Sequence, residues 1–288
     1  MLRHKFARTA ALLLCAAALV FSSCTTSPKP EPVNPLSLLG SDNALYIYVP
    51  VDSHKEFVTL ALMKLMELRK ADSEKITGRI KDLYIGTMLG SGFEISASGN
   101  FPPNYAKASL TEKNGWDTKK YLSYDYFVQN ASAIEIAIPC PENVVLSYKV
   151  QELLDRFDKI RFSKDSESDS GNSSHKEMLS FLESSGSNDI LFVSSKPDLF
   201  FYSLAGTKMS LGVDKIKGTF ASLPDKKETY GVSLVLEMSD PRTIKACIRL
   251  LQMALFGIPA KIYQSGENKI SVTDITMSWN EILDLISK

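Results

Sequence analysis

The chain has 288 residues, of which 44% are hydrophobic, 9% aromatic and 23% charged. That composition excludes a disordered chain and a bundle of membrane spans. Lys plus Arg and Asp plus Glu balance at 33 each. The chain therefore lacks the positive field that sequence-independent nucleic-acid binding demands, and no nucleic-acid partner is expected.

The N-terminus reads as an export signal. Arg3, Lys5 and Arg8 form a basic start, and Ala10 to Phe21 is an uncharged apolar run of twelve residues. A run of that length suits a signal peptide, whereas spanning a bilayer takes roughly 20 residues. Small residues and a cysteine follow. Phe21-Ser22-Ser23-Cys24 resembles the lipobox of bacterial lipoproteins, with Phe21 where the family usually carries leucine, a relaxation similar to that of spirochaetal lipoproteins. The resemblance implies cleavage between Ser23 and Cys24, lipid attachment to Cys24, and a mature domain outside the cytoplasm on a membrane of the cell envelope, the outer membrane first. Without it, residues 1–23 read as an ordinary secretory signal with an incidental cysteine, or as an uncleaved anchor. Removing residues 1–23 takes three of the 33 basic side chains and no acidic one, leaving a net charge of −3. Thr25 to Leu39 is polar at first and proline-rich, which predicts an extended tether over residues 24–41.

From Asn43 the pattern becomes that of a folded domain. A strand is expected over Asn43 to Val51, then a capping box at Ser53 to Glu56 that opens a helix to about Lys70. Ile80 to Leu89 and Phe93 to Ser98 read as a hairpin around Gly90-Ser91-Gly92. A short helix near Asn104 to Leu110, strands at Tyr121 to Gln129 and Ala133 to Ile138, and a helix from Glu142 to Phe157 complete the first half (42–160). Residues 161–187 are Ser-rich and acidic around Asp165 to Ser174, which predicts a mobile linker. The second half (188–288) offers a strand at Ile190 to Val193, a short helix from Pro197, and a hairpin of Val213 to Ala221 with Tyr230 to Met238. A helix capped by Asp240 with Pro241 at its first position follows. Strands at Ala260 to Tyr263 and Ile270 to Ile275 lead to a last helix capped by Ser278 and Glu281.

Both halves thus read β-α-β-β-α-β-β-α. The expected fold is α+β, in two similar halves, with mainly antiparallel sheets and helices on one face. In element order alone the mature region is similar to uncharacterised exported lipoproteins with duplicated α+β units, a resemblance that implies no activity.

Candidate chemistry is sparse. Asp165-x-Glu167-x-Asp169 fails the calcium-loop register, because Ser170 and Lys176 stand where glycine and glutamate are needed. Gly90-Ser91-Gly92 precedes a strand and not the helix a phosphate cradle requires. His54 and His175 have no zinc-type partners at ligand spacing and no nucleophile elbow nearby. No metal or other cofactor is expected. Cys140 and Cys247 are the only candidates for a disulfide, and both read as unpaired, Cys247 on the apolar face of a helix. Leu62, Met63, Leu65 and Met66 make the first helix apolar nearly all round. That pattern fits burial between layers, or a groove for an acyl chain or another protein. Phe200, Phe201 and Tyr202 read as packing between halves, and Lys149, Arg156, Lys159, Arg161 and Lys164 as a solvated basic face, with contact to anionic headgroups the second reading. The leading expectation is a non-enzymatic envelope lipoprotein that binds a protein partner or an apolar ligand. The alternatives are a periplasmic hydrolase with an unrecognised site, or a structural spacer.

Overall fold

A computed structural model describes residues 33–87, 92–102, 104–162, 173–185, 188–205 and 211–287. The strands of the first half are β1 (Leu45–Pro50), β2 (Ile80–Thr87), β3 (Phe93–Gly99), β4 (Trp116–Tyr121), β5 (Tyr124–Gln129), β6 (Glu135–Cys140) and β7 (Asn143–Ser147). Its helices are α1 (Lys55–Leu65), α2 (Lys70–Thr77), α3 (Tyr105–Ser109) and α4 (Val150–Phe162), with α5 (Ser173–Ser185) leading into the second half. There β8 (Ile190–Ser194), β9 (Val213–Ser222), β10 (Thr229–Met238), β11 (Lys261–Gly266) and β12 (Lys269–Ser278) alternate with α6 (Pro197–Ala205), α7 (Ile244–Ala254) and α8 (Trp279–Ser287).

The twelve strands of the described residues form one antiparallel sheet in the order β11-β12-β10-β9-β8-β1-β2-β3-β7-β6-β5-β4. The α+β class and the antiparallel sheet stand. The halves do not form separate sheets, because β1 pairs directly with β8 (Ile47 opposite Phe192). Residues 32–288 are a single compact unit, so the division into 42–160 and 188–288 crosses a continuous sheet. Outward from that junction, β1-β2-β3-β7-β6 and β8-β9-β10-β12-β11 follow the same order, and β4 and β5 add a hairpin to the first half alone.

Helices on one face is the expectation that fails. Residues of α1, α6, α7 and α8 share a core with Ile47, Phe192 and Val272 on one face. The residues of α4 at spacing i, i+3, i+4 and i+7, Val150, Leu153, Leu154 and Phe157, instead pack on Tyr126, Ala137 and Val145, on the opposite face. Met178 of α5 joins Tyr46 and Val193 there. A sheet with apolar side chains on both faces needs covering on both, and the single apolar stripe of α4 meets that need on the far side. The helices that end the two halves, α4 and α8, therefore lie on opposite faces.

Several element boundaries also move. The helix expected from Glu142 begins only at Val150, because Asn143–Ser147 joins the sheet as β7 beside β3 and β6. The strand expected over Tyr121 to Gln129 is β5, beginning at Tyr124, and β4 precedes it where no strand is expected. Helix α1 stops at Leu65, the chain turns with Glu67 at φ 51°, and α2 follows as a separate helix. The caps in the second half form as read: the Asp240 side chain accepts from Arg242 N–H at 2.9 Å, and Glu281 accepts from Ser278 N–H at 2.6 Å.

The tether expected through residue 41 is shorter than it reads. Pro35–Leu38 is a 3-10 turn capped by Asn34, and Val33, Leu36, Leu38 and Leu39 are buried. Behind them, buried Glu94 accepts from Gly40 N–H at 2.6 Å and Asn43 Nδ2 at 2.8 Å, and it pairs with Arg156 of α4. Arg156 is thus drawn inward and not part of a solvated basic face, because a buried carboxylate requires a partner charge.

Candidate functional site

Helix α1 is apolar on nearly every side, yet among its residues only Phe57 and Val58 are fully buried. Leu60, Ala61, Leu62, Met63 and Leu65 are half-buried. Between α1 and the sheet lies a cavity of about 230 Å³. Its floor is built from alternate residues of four neighbouring strands: Leu83 and Ile85 of β2, Ile95 and Ala97 of β3, Val144 and Leu146 of β7, and Ile136 and Ile138 of β6. Strand periodicity places these side chains on one face. Ala61, Leu62 and Leu65 of α1 form the roof, with Met66 just beyond it, and Ala106 and Leu110 at α3 and Leu283 of α8 close the sides. The small side chains of Ala61, Ala97 and Ala106 face into the space and leave it unfilled.

Among the described residues no charged side chain lines the cavity. Its polar groups are the hydroxyls of Tyr105, Ser109, Ser132 and Tyr148. Tyr148 is the exposed member of the lining, 47% accessible, with its ring 4.9 Å from that of Phe93. An engineered cavity of about 150 Å³ lined by aliphatic side chains stays dry and admits benzene, so a space of this size and lining favours an apolar occupant over water.

His54 has a structural role that the sequence does not reveal. The capping box at Ser53 does not form, because Val51–Ser53 winds into a 3-10 turn and His54 itself takes the N-cap with its ring turned inward. The imidazole is 4% exposed, with Nδ1 2.8 Å from the Tyr230 hydroxyl and Nε2 2.7 Å from the Asn188 carbonyl. The carbonyl can only accept, so Nε2 carries the proton and the Tyr230 hydroxyl donates to Nδ1. Burial lowers the His54 pKa from its ordinary value and raises that of Tyr230. The ring is a neutral bridge between α1 and the strands of the second half.

The other candidates scatter. Cys140 and Cys247 are buried free thiols in different clusters, and burial raises both pKa values. Phe200 and Phe201 are buried in the shared core, with Phe200 stacked 5.8 Å from Phe192, and Tyr202 is exposed. The strands flanking Gly90-Ser91-Gly92 pair as a hairpin, with Thr87 opposite Phe93. Residues 88–91, the acidic loop at Asp165 to Asp169, Lys164, the His175 side chain, Ser23 and Cys24 lie outside the described residues. Among the described residues there is no cluster of three potential metal ligands, and no helix long and apolar enough to cross a membrane. A second apolar feature is external: Met253 at the end of α7 is 74% exposed, Phe256 91% and Ile258 48%. Sequence reading singles out α1 but misses the floor of the cavity, because β7 reads as helix and its alternation is hidden.

Comparison with known proteins agrees with this architecture. The family described as outer membrane-associated lipoprotein TP0453 matches residues 30–283. Outer membrane protein TP0453 of the spirochaete Treponema pallidum (strain Nichols) is 25% identical over 130 residues. That alignment spans 44% of each chain, less than half the length of the curated relative. Two structures of TP0453, crystal forms I and III, superpose with TM-scores of 0.63 and 0.61 at 18% identity. They cover 89% of this chain, and 97% and 98% of their own. At that identity the likeness establishes the fold.

Proposed function

The chain belongs to the outer membrane-associated lipoprotein TP0453 family, and from that premise we propose that it holds an apolar ligand at the envelope membrane without transforming it. In this reading Ser23–Cys24 is the cleavage site, Cys24 carries the lipid, and residues between Cys24 and Val33 are the spacer. The observation that carries the proposal is the uncharged cavity beneath α1. A hydrolase would need a titratable pair beside its ligand, and among the described residues the polar side chains of the lining carry hydroxyls alone. Enclosing aliphatic surface contributes about 25 cal/mol per Å² removed from water, which favours holding a hydrocarbon over turning over a polar substrate.

The test is to extract the mature protein gently from its own membrane and identify bound small molecules by mass spectrometry, beside an Ala61→Trp variant whose indole fills the space. Wild type should carry an apolar molecule that the variant lacks. Equal occupancy of the two proteins, or an empty wild type, would sink the proposal.

A second reading concerns how the domain meets the bilayer. Val33, whose carbonyl accepts from Asn143 at the start of β7, lies at the end of the sheet where β11 begins. Phe256 and Ile258 lead into β11, and the exposed Leu122 forms the β4–β5 turn at that same end. Cys24 and Val33 are nine positions apart in the chain, a reach of at most about 30 Å. The lipid and these apolar side chains would then bear on one membrane surface, and charged substitution of Phe256 should weaken vesicle binding of the unlipidated mature chain.

A further inference from the structure

The cavity is specific about its occupant in two respects, size and polarity. Pockets for drug-sized ligands run to roughly 300–1,000 Å³. At about 230 Å³ this one has room for a single slim hydrocarbon chain and not for two side by side.

Three of its four hydroxyls are also placed at one end, whereas Tyr105, with Arg79 4.3 Å over its ring, lies at the other. Ser132 lies in the β5–β6 turn and Tyr148 follows β7, both just past the point where Glu135 pairs with Ser147. Ser109, at the end of α3, is tied to the same end of the sheet: its carbonyl accepts from Asn114 Nδ2 at 2.9 Å, and Asn130 N–H bonds to the Gly115 carbonyl at 2.9 Å. Three hydroxyls therefore gather where Tyr148 reaches solvent, that of Ser132 already donating to Gln129 Oε1 and accepting from Ile134 N–H, and apolar side chains line the interior. Hydroxyls both donate and accept, and they match a neutral polar group. A carboxylate or phosphate taken into this lining would be desolvated with no cation among the described wall residues to compensate it.

We infer that the cavity selects a single-chain amphiphile with an uncharged, hydrogen-bonding head, such as a long-chain alcohol or a monoacylglycerol, held with its head beside Tyr148 and its chain beneath α1. This rests on the proposed function and adds ligand class and polarity to it. The Tyr148 hydroxyl, which has no protein hydrogen-bond partner among the described residues, is the group that meets the head.

Photo-crosslinking of the mature, lipidated protein in phospholipid vesicles tests it. Three probes carry the same chain-terminal diazirine: a long-chain alcohol, the corresponding carboxylate, and a diacyl phospholipid. Peptide mapping should place the alcohol on residues of the cavity wall such as Leu62 and Leu146, with the other two probes several-fold weaker there. Losing one hydrogen bond to the head in Tyr148→Phe should cut labelling by the alcohol about five-fold, while its labelling by the carboxylate stays unchanged. Labelling of the wall by the carboxylate or the diacyl lipid at equal or greater yield would overturn the selectivity, as would an unchanged alcohol yield in Tyr148→Phe. If no probe reaches the wall, the ligand-holding function itself fails, a separate outcome from the first two.

Discussion

The two halves run their strands in the same order and share one continuous face, but they fill that face differently. One cross-strand row shows the contrast: Val272, Leu234, Gly218 and Phe192 in the second half continue as Ile47, Ile85, Ile95, Leu146 and Ile136 in the first. On the second-half side, Phe192 packs 4.8 Å from Phe220 and 5.8 Å from Phe200, and Tyr230 lies 6.1 Å from Trp279. Gly218 makes this possible, since a Cβ there would sit 2.2 Å from the Phe192 ring. On the first-half side the strands offer mainly aliphatic side chains, with Phe93 and the small Ala97, while α1 offers Ala61, and the cavity is the result. Aromatic rings interlock to the density of a protein interior, whereas facing alanines leave space. The same topology thus carries a solid half and a hollow one, and the hollow half holds the candidate site.

The comparison predicts mutational effects of different size and sign. The largest belongs to the solid half. Phe192→Ala, at a side chain 1% exposed, should destabilise the protein by about 3–5 kcal/mol, measured as a lower urea midpoint. A cost below about 1 kcal/mol would mean that the aromatic cluster is looser than described.

The junction between halves should respond to pH. His54 is neutral when folded and its folded pKa is depressed, so the unfolded chain binds more protons once pH falls below about 6.5. Its contribution to stability is therefore fully present above that pH and is lost as pH falls toward the folded pKa. The stability difference between wild type and His54→Gln should narrow between pH 7.5 and 5.5. A difference that stays constant with pH would contradict the neutral bridge.

The smallest effect, of opposite sign, belongs to the hollow half. Ala61→Leu adds methyl groups over empty space and should stabilise the ligand-free protein by about 0.5–1 kcal/mol. A destabilisation of similar size would show that the roof of the cavity has no room to spare.

How far the sequence discloses this structure depends on whether a signal is local. The hairpins of β2 with β3 and β9 with β10, and the caps at Asp240 and Ser278, are read correctly because alternation and capping act over a few residues. Strand β7 is misread as the start of a helix: Val144, Val145 and Leu146 are a short apolar run with no breaker before Val150, and only pairing with β3 decides the matter. Strand β4 escapes notice because Asp117 to Lys120 are exposed on an edge of the sheet. The face chosen by α4 and the inward turn of His54 depend on contacts more than a hundred residues away, between Val33 and Asn143 and between His54 and Tyr230. For the candidate site, α1 is legible as a helix too apolar for a surface. The cavity is not, because a void is a relation among alanines on separate elements.

The central claim is that the hollow half is a ligand site and not slack packing. Crystals of the protein soaked with a long-chain alcohol brominated at its chain end would locate the occupant directly by anomalous scattering. The account predicts a bromine peak between Ala61 and Val144, with the alcohol oxygen within hydrogen-bonding distance of the Tyr148 hydroxyl. A cavity that stays empty at saturating alcohol, with bromine found only near surface residues such as Phe256, would contradict it.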